Sequence, residues 1–220
     1  MEKEKVPQEV KEPQLFKYAA FFVRHKWRVA AAGGLILAVV VVIGLVQASQ
    51  KRGVERAFQG RMMADTPKEL EQVAKDFPRT FDGSISLIEA GNLLFKEGKS
   101  SDARKLYLKY LEGHRESRVR SSVYNLVGAT FEAEGKYDEA IRYYRRAEAN
   151  PFVRMQAKLN IGRCYEQKGD FERARTYYGQ LTETAPSAPG TPPAQTSWQR
   201  QAQERMNFLR EKERTAGKKS

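Results

Sequence analysis

The sequence is poor in the residues that most often carry chemistry. It has one cysteine and two histidines in 220 residues. A single thiol, Cys164, excludes a disulfide framework within the chain and any cysteine-cluster metal site. His25 and His114 lie far apart, without partners at ligand spacing, so they read as ordinary surface residues rather than a metal or acid/base pair. Cys164 sits beside Tyr165 on an apolar helix face and reads as a packing residue. The glycines fall at helical repeat positions, not in a loop that could cradle a phosphate. The neighbouring acids Glu132 and Glu134 lie in a turn region and are expected to be solvated. No enzyme, cofactor or metal site is therefore expected. Only nine residues are proline, while 10% are aromatic and 40% apolar, which disfavours a wholly disordered chain.

The most prominent feature present is an apolar run from Val29 to Val46, eighteen residues without a charge, extending to twenty with Gln47 and Ala48. Twenty helical residues span about 30 Å, the thickness of a bilayer's hydrocarbon core. Residues 29–48 therefore read as a transmembrane helix meeting lipid along Val29–Val46. Trp27 with Arg24, Lys26 and Arg28 anchors one edge, and Lys51 with Arg52 the other. Val46 and Ala48 have the small-residue spacing of a signal-peptidase site, but the run is longer than about 15 residues and starts late, so the helix is expected to be retained. Residues 1–28 form a short tail with seven Lys/Arg, which resists translocation and places the amino end in the cytoplasm. Within it, Leu15–Trp27 mixes aromatic and basic residues as an interfacial segment does. Ala30, Gly34 and Ala38 follow small-xxx-small spacing, which leaves self-association open.

Beyond residue 80 the sequence repeats. Gly91, Gly128 and Gly162 are each followed seven residues later by Gly98, Gly135 and Gly169, then by Ala103, Ala140 and Ala174, then by Tyr107, Tyr144 and Tyr178. Each unit reads as two helices around a turn: Val123, Leu126, Val127 and Phe131 share one face, EGKYDE interrupts, and Ala140, Ile141, Tyr144 and Ala147 resume. Gly135 suits the positive φ that ends a helix, and Asp138 is placed to cap the next. A glycine on the first helix and an alanine on the second should let two backbones approach.

These positions resemble the tetratricopeptide repeat, a family of 34-residue helical hairpins. The unit 155–188 carries the family's apolar residue, glycine and aromatic as Ile161, Gly162 and Tyr165, its interior alanine as Ala174, its aromatic as Tyr178 and its closing proline as Pro186. The unit 121–154 matches with Tyr124, Val127, Gly128, Phe131, Ala140, Tyr144 and Ala147, its proline one place early at Pro151. The unit 84–120 is three residues longer and has Ala90 and Leu94 where larger groups are usual. Residues 53–80 read as a leading degenerate repeat, in which Thr66–Thr80 starts with a cap and proline and stops at Pro78, while Gly53–Ala64 is either its first helix or an extension of the membrane helix. The Pro-rich stretch around 189–196 reads as a stiff linker, and 197–213 as a capping helix with Trp198, Ala202, Met206 and Leu209 in its stripe. The expected fold is thus all-α: one transmembrane helix, a short α-solenoid and a carboxy-terminal cap.

The resemblance implies protein–protein binding through a concave groove lined by the first helix of each hairpin. The candidate groove residues are Ile88, Asn92, Phe95, Asn125, Glu132, Gln156, Arg163 and Glu166, read as facing outward. The family's clamp for carboxy-terminal peptide tails would need Lys and Asn where this chain has Ile88, Asn125 and Leu159, so that specialisation is not implied. The net charge of +12 is spread over residues 1–28, 83–120 and 187–220 rather than focused on one face, so no nucleic-acid partner is expected. The layout is also similar to that of single-pass inner-membrane tetratricopeptide proteins such as the ancillary subunit of the bacterial Sec translocon. That likeness implies repeats in the periplasm and a role as scaffold or chaperone- or translocon-associated adaptor, with a permanent structural subunit of an envelope complex as the alternative.

Overall fold

A computed structural model describes Val23, residues 26–182 and residues 197–216. The basic tail apart from Val23 and Lys26–Arg28, the proline-rich linker with Pro186, and the last four residues lie outside the described residues. The described residues are helical with short connections and contain no strand. The chain divides into two compact units, Met1–Gly53 and Val54–Ser220.

Helix α1, Lys26–Met63, is one uninterrupted element of 38 residues, so the expected segment Gly53–Ala64 continues the apolar helix as far as Met63 instead of starting a separate one. It is long and apolar enough to cross a membrane. Every residue from Ala30 to Gln47 is exposed, including Leu35, Ile36, Leu37 and Ile43, which a core helix of a soluble protein would have buried. At its carboxy-terminal end, Ala57 is buried and Arg61 pairs with Asp82 and Glu89, each at 2.8 Å.

The second unit continues with α2 (Pro67–Asp76), α3 (Phe81–Lys96), α4 (Ser100–Gly113), α5 (Arg120–Ala133), α6 (Tyr137–Glu148), α7 (Arg154–Gln167), α8 (Phe171–Thr182) and α9 (Ser197–Ala216). From α2 onward each helix packs on the next, and α9 also touches α7. The α2 start is a capping box: Thr66 Oγ1 accepts from the Glu69 N–H, and the Glu69 carboxylate accepts from the Thr66 N–H, with Pro67 in the first turn. Leu70, Val73 and Ala74 form its buried face.

The three hairpins α3–α4, α5–α6 and α7–α8 share one construction. Gly98, Gly135 and Gly169 turn the corners at φ of 79°, 72° and 77°. Asp138 does not cap α6, contrary to expectation; the position before Tyr137 is Lys136, and Asp138 pairs with Lys168 of the next hairpin. The interior glycines also act differently from expectation, since what they admit is a tyrosine ring rather than a backbone. A Cβ on Gly91, Gly128 or Gly162 would stand 2.5, 2.6 or 2.5 Å from Cε1 of Tyr107, Tyr144 or Tyr178. Those rings are completely buried, as are Ala103, Ala140 and Ala174. Two apolar clusters result. One is centred on Tyr107 and runs from Leu70 to Val127. The other is centred on Tyr144 and Tyr178 and includes Ala202 and Leu209 of α9, with Trp198 and Met206 packed beside them.

The three extra residues of the first unit can be placed. Helix α4 has 14 residues where α6 has 12, and residues 114–119 make a loop one longer than residues 149–153.

Candidate functional site: the groove of the first helices

Helices α3, α5 and α7 share one wall of the solenoid, and a hydrogen-bond relay organises their side chains. In each hairpin the buried tyrosine of the second helix donates to a polar group on the first: Tyr107 to Asn92 Oδ1 at 2.8 Å, Tyr144 to Glu132 Oε2 at 2.6 Å, and Tyr178 to Glu166 Oε2 at 2.8 Å. Burial pushes the Tyr107 phenol up to about 12, and burial with the neighbouring carboxylates raises Tyr144 and Tyr178 further.

The acid then reaches forward to the next helix layer. Glu132 takes a fork from Arg163, with Nε to Oε1 at 2.5 Å and a second bond to Oε2 at 2.8 Å. That bond raises the pKa of Arg163, so its charge is held at any ordinary pH. Glu166 is paired in the same sense by Arg205 of α9 at 3.2 Å. Position by position, Arg163 follows Gly162 as Ala129 follows Gly128 and Asn92 follows Gly91, while Glu166 and Glu132 correspond to Phe95. The junction of the second and third units is therefore closed by an ion pair. The junction of the first and second units has Phe95 and Ala129 at the corresponding groove positions, and the ion pair that crosses it, Arg104–Glu134, joins α4 to the end of α5 instead.

An open cleft of about 380 Å³ runs along this wall from Phe95 of the first unit, over Ala129, Glu132, Ala133 and Tyr137 of the second, to Arg163 and Gln167 of the third. Three residues named from sequence, Phe95, Glu132 and Arg163, meet in this cleft. Ile88 is half-buried against the first core cluster, Asn92 serves Tyr107, and Gln156 is exposed in the first turn of α7.

Three readings are corrected. Asn125 does not face outward: it is buried and accepts from Asn160 Nδ2 at 3.1 Å, an amide pair between α5 and α7. Glu166 is likewise buried, held by Tyr178 and covered by Arg205. Glu132 and Glu134 are not freely solvated either, since Glu134 pairs with Arg104 and Lys136. Ala133, Tyr137 and Gln167 were missed because the family register was followed along the middle of the first helices, whereas the cleft opens at their carboxy-terminal ends. Cys164 is buried, and burial pushes its thiol up to about 12. Among the described residues no group of His, Cys, Asp or Glu is arranged to hold a metal ion.

Comparison with known families matches residues 88–154 and 128–189 to a tetratricopeptide repeat model. The repeats are tetratricopeptide repeats. Over 110 residues, half of this chain, the sequence is 26% identical to the Drosophila melanogaster protein O-mannosyl-transferase Tmtc3, of which it spans only 12%. Among solved structures, the nearly identical TPR-like repeats of a Podosopora anserina kinesin light chain superpose with a TM-score of 0.50 at 16% identity, over 73% of this chain and 90% of that one. MamA aligns at 20% identity over 69% of this chain and 89% of its own, with a TM-score of 0.47. At 16% identity the likeness to the kinesin light chain repeats is one of fold. Tetratricopeptide repeats bind proteins, and this hairpin array is a protein-interaction module.

Proposed function

We propose that the chain is a single-pass, membrane-anchored adaptor whose tetratricopeptide groove holds an extended segment of a partner protein, seating one of its apolar side chains between Phe95 and Ala129. The carrying observation is a contrast along the groove wall: Arg163–Glu132 and Arg205–Glu166 occupy the later positions as ion pairs, while Phe95 and Ala129 present an apolar face at the end of an open cleft. The adjacent Glu132–Arg163 pair has its charges already balanced, so it favours a polar backbone over a charged side chain from the partner. Supporting the anchor, apolar side chains cover α1 from Ala30 to Val46 with nothing over them. The basic amino-terminal tail supports a cytoplasmic amino end, with the repeats across the membrane, in the periplasm if the host is a bacterium.

A photo-crosslinking side chain at the exposed Ala133, activated in intact membranes and read by mass spectrometry, tests the groove. It should trap a partner protein that Ala133→Arg, which fills the cleft, no longer captures in an affinity pull-down. Adducts no different from those formed from the far side of the solenoid would overturn the groove reading. Co-purification at fixed stoichiometry would mark the partner as a permanent co-subunit instead of a passing client.

A further inference from the structure

A second cleft, of about 450 Å³, opens between α4, α5 and α6 and shares no lining residue with the groove. Leu108 and Leu111 give it an apolar base, Tyr124 and Tyr143 flank it, and Arg115, Arg120 and Arg146 bring the charge. Its rim is made by the irregular part of the first unit: Arg115 lies in the 114–119 loop, one residue longer than its counterpart, which also carries Arg118.

The guanidinium groups of the second unit are used in several ways, and Arg145 and Arg154 donate to the Tyr165 hydroxyl and the Glu148 carbonyl. Arg61, Arg104, Arg163, Arg173, Arg175 and Arg205 each hold a carboxylate. Arg115, Arg118, Arg142 and Arg146 hold none among the described residues. Arg146 instead stacks over Tyr124 at 5.6 Å and over Tyr143 at 5.4 Å, and Arg142 lies over Tyr143 at 5.4 Å. Arg120 is committed to the wall, donating to Leu111 O at 2.6 Å and to the Tyr124 hydroxyl at 2.7 Å. Stacking occupies the face of a guanidinium and leaves the N–H groups on its edge for a further acceptor, while restricting the side chain so that less entropy is lost when that acceptor arrives.

We propose that this cleft is a docking site for an acidic segment of a partner protein, its carboxylates paired with Arg115 and Arg146 and a neighbouring apolar side chain on Leu108 and Leu111. The charge and the apolar base together fit a Glu- or Asp-containing peptide. Nucleic acid fits less well, because Arg120, Arg142 and Arg146 already stack on the tyrosine rings that a base would need. The Glu112 carboxylate on the wall repels a phosphate dianion more strongly than a single carboxylate, and can accept from a peptide N–H.

Fluorescence anisotropy with the full chain in an uncharged detergent tests this. The probes are a labelled short peptide rich in glutamate with one leucine, the same peptide with glutamine for glutamate, and a single-stranded oligonucleotide of equal charge. The acidic peptide should bind most tightly, weaken with added salt, and lose about tenfold or more in affinity with Arg115→Glu or Arg146→Gln. Arg79→Glu, an equal charge change on the exposed turn between α2 and α3, should leave affinity unchanged. Equal loss with Arg79→Glu would reduce the effect to net charge and overturn the site. So would a glutamine peptide that binds as well, or an oligonucleotide that binds better. Arg115 is exposed and has no hydrogen bond or ion pair among the described residues, so Arg115→Glu decides the matter even if Arg146→Gln disturbs the stack. The groove variant Ala133→Arg should not alter this binding, which keeps the two surfaces separable.

Discussion

The contact between Gly128 and Tyr144 gives the most discriminating test of the repeat architecture. An alanine at Gly128 would put its methyl group 2.6 Å from Cε1 and 2.7 Å from Cδ1 of Tyr144, well inside van der Waals contact. The ring has nowhere to retreat, being fully buried and tied through its hydroxyl to Glu132, which is itself held by Arg163. Overpacking of this kind costs about 1–3 kcal/mol, and the immobile ring places this site toward the upper end. Against it stands the helix preference of Ala over Gly, about 1 kcal/mol. The expected net loss is about 2 kcal/mol, or roughly 4–8 °C in Tm for a chain of this size. Circular dichroism melting of the full chain in mild detergent measures it. The informative comparison is the same substitution in a Tyr144→Ala background, where the obstruction is gone and only the helix preference remains. There Gly128→Ala should stabilise by about 1 kcal/mol, a reversal of sign within one double-mutant cycle. If Gly128→Ala raises Tm with Tyr144 in place, the ring does not sit on the glycine and the packing account of all three hairpins fails.

The same contacts carry other expected outcomes. Ala174→Leu, at a fully buried position of α8, should cost about 1–3 kcal/mol, and an unchanged melting midpoint would undo the assigned register. Deleting Ser197–Ser220 uncovers the apolar surface under Ala202 and Leu209 and leaves Glu166 without Arg205, so the truncated chain should self-associate by light scattering; a monodisperse, equally stable product would remove the capping role. Cys164 should resist alkylation at pH 8, because burial holds its thiol protonated, and should label only at the rate of unfolding; immediate labelling would contradict the buried site. Glu134 has its carboxyl lowered by Lys136 and Arg104, so the stability it contributes is present above about pH 4.5 and lost as pH falls through the lower folded value. A Glu134→Gln chain should therefore show a shallower acid-side decline in Tm than the parent.

What was readable from sequence was whatever lies within one hairpin. The Gly–Gly–Ala–Tyr register located six helices and three turns because each position answers to a contact inside its own unit, and the stripe from Trp198 to Leu209 marked α9 because its apolar spacing lies within one helix. The unreadable part depends on how one hairpin rotates on the next. Asn125 and Asn160 are 35 residues apart, and nothing local shows that they face each other; read against the family's peptide clamp, Asn125 falls on the groove wall instead. Glu132, Glu166, Arg163 and Arg205 are ordinary surface types in sequence, and only the stacking of layers turns them into cross-unit ties. The apolar place at Phe95 and Ala129 was half visible: Phe95 was named, but its character comes from Phe95 and Ala129 standing where Glu132 and Arg163 pair one layer later.

That layer-to-layer tie also determines which part of the molecule could be multiplied. The third hairpin carries both halves, Arg163 to meet the hairpin before it and Glu166 to meet the helix after it, whereas the second carries the acid with Ala129 in place of the arginine and the first carries neither. Copies of the third hairpin set in tandem would therefore bond to one another without redesign, each glutamate finding the next arginine, and α9 with Arg205 would still close the end. The same operation on the first hairpin would add a Phe95-type opening at every joint. Array length and the number of apolar clefts can in this way be set independently, by the choice of hairpin to duplicate.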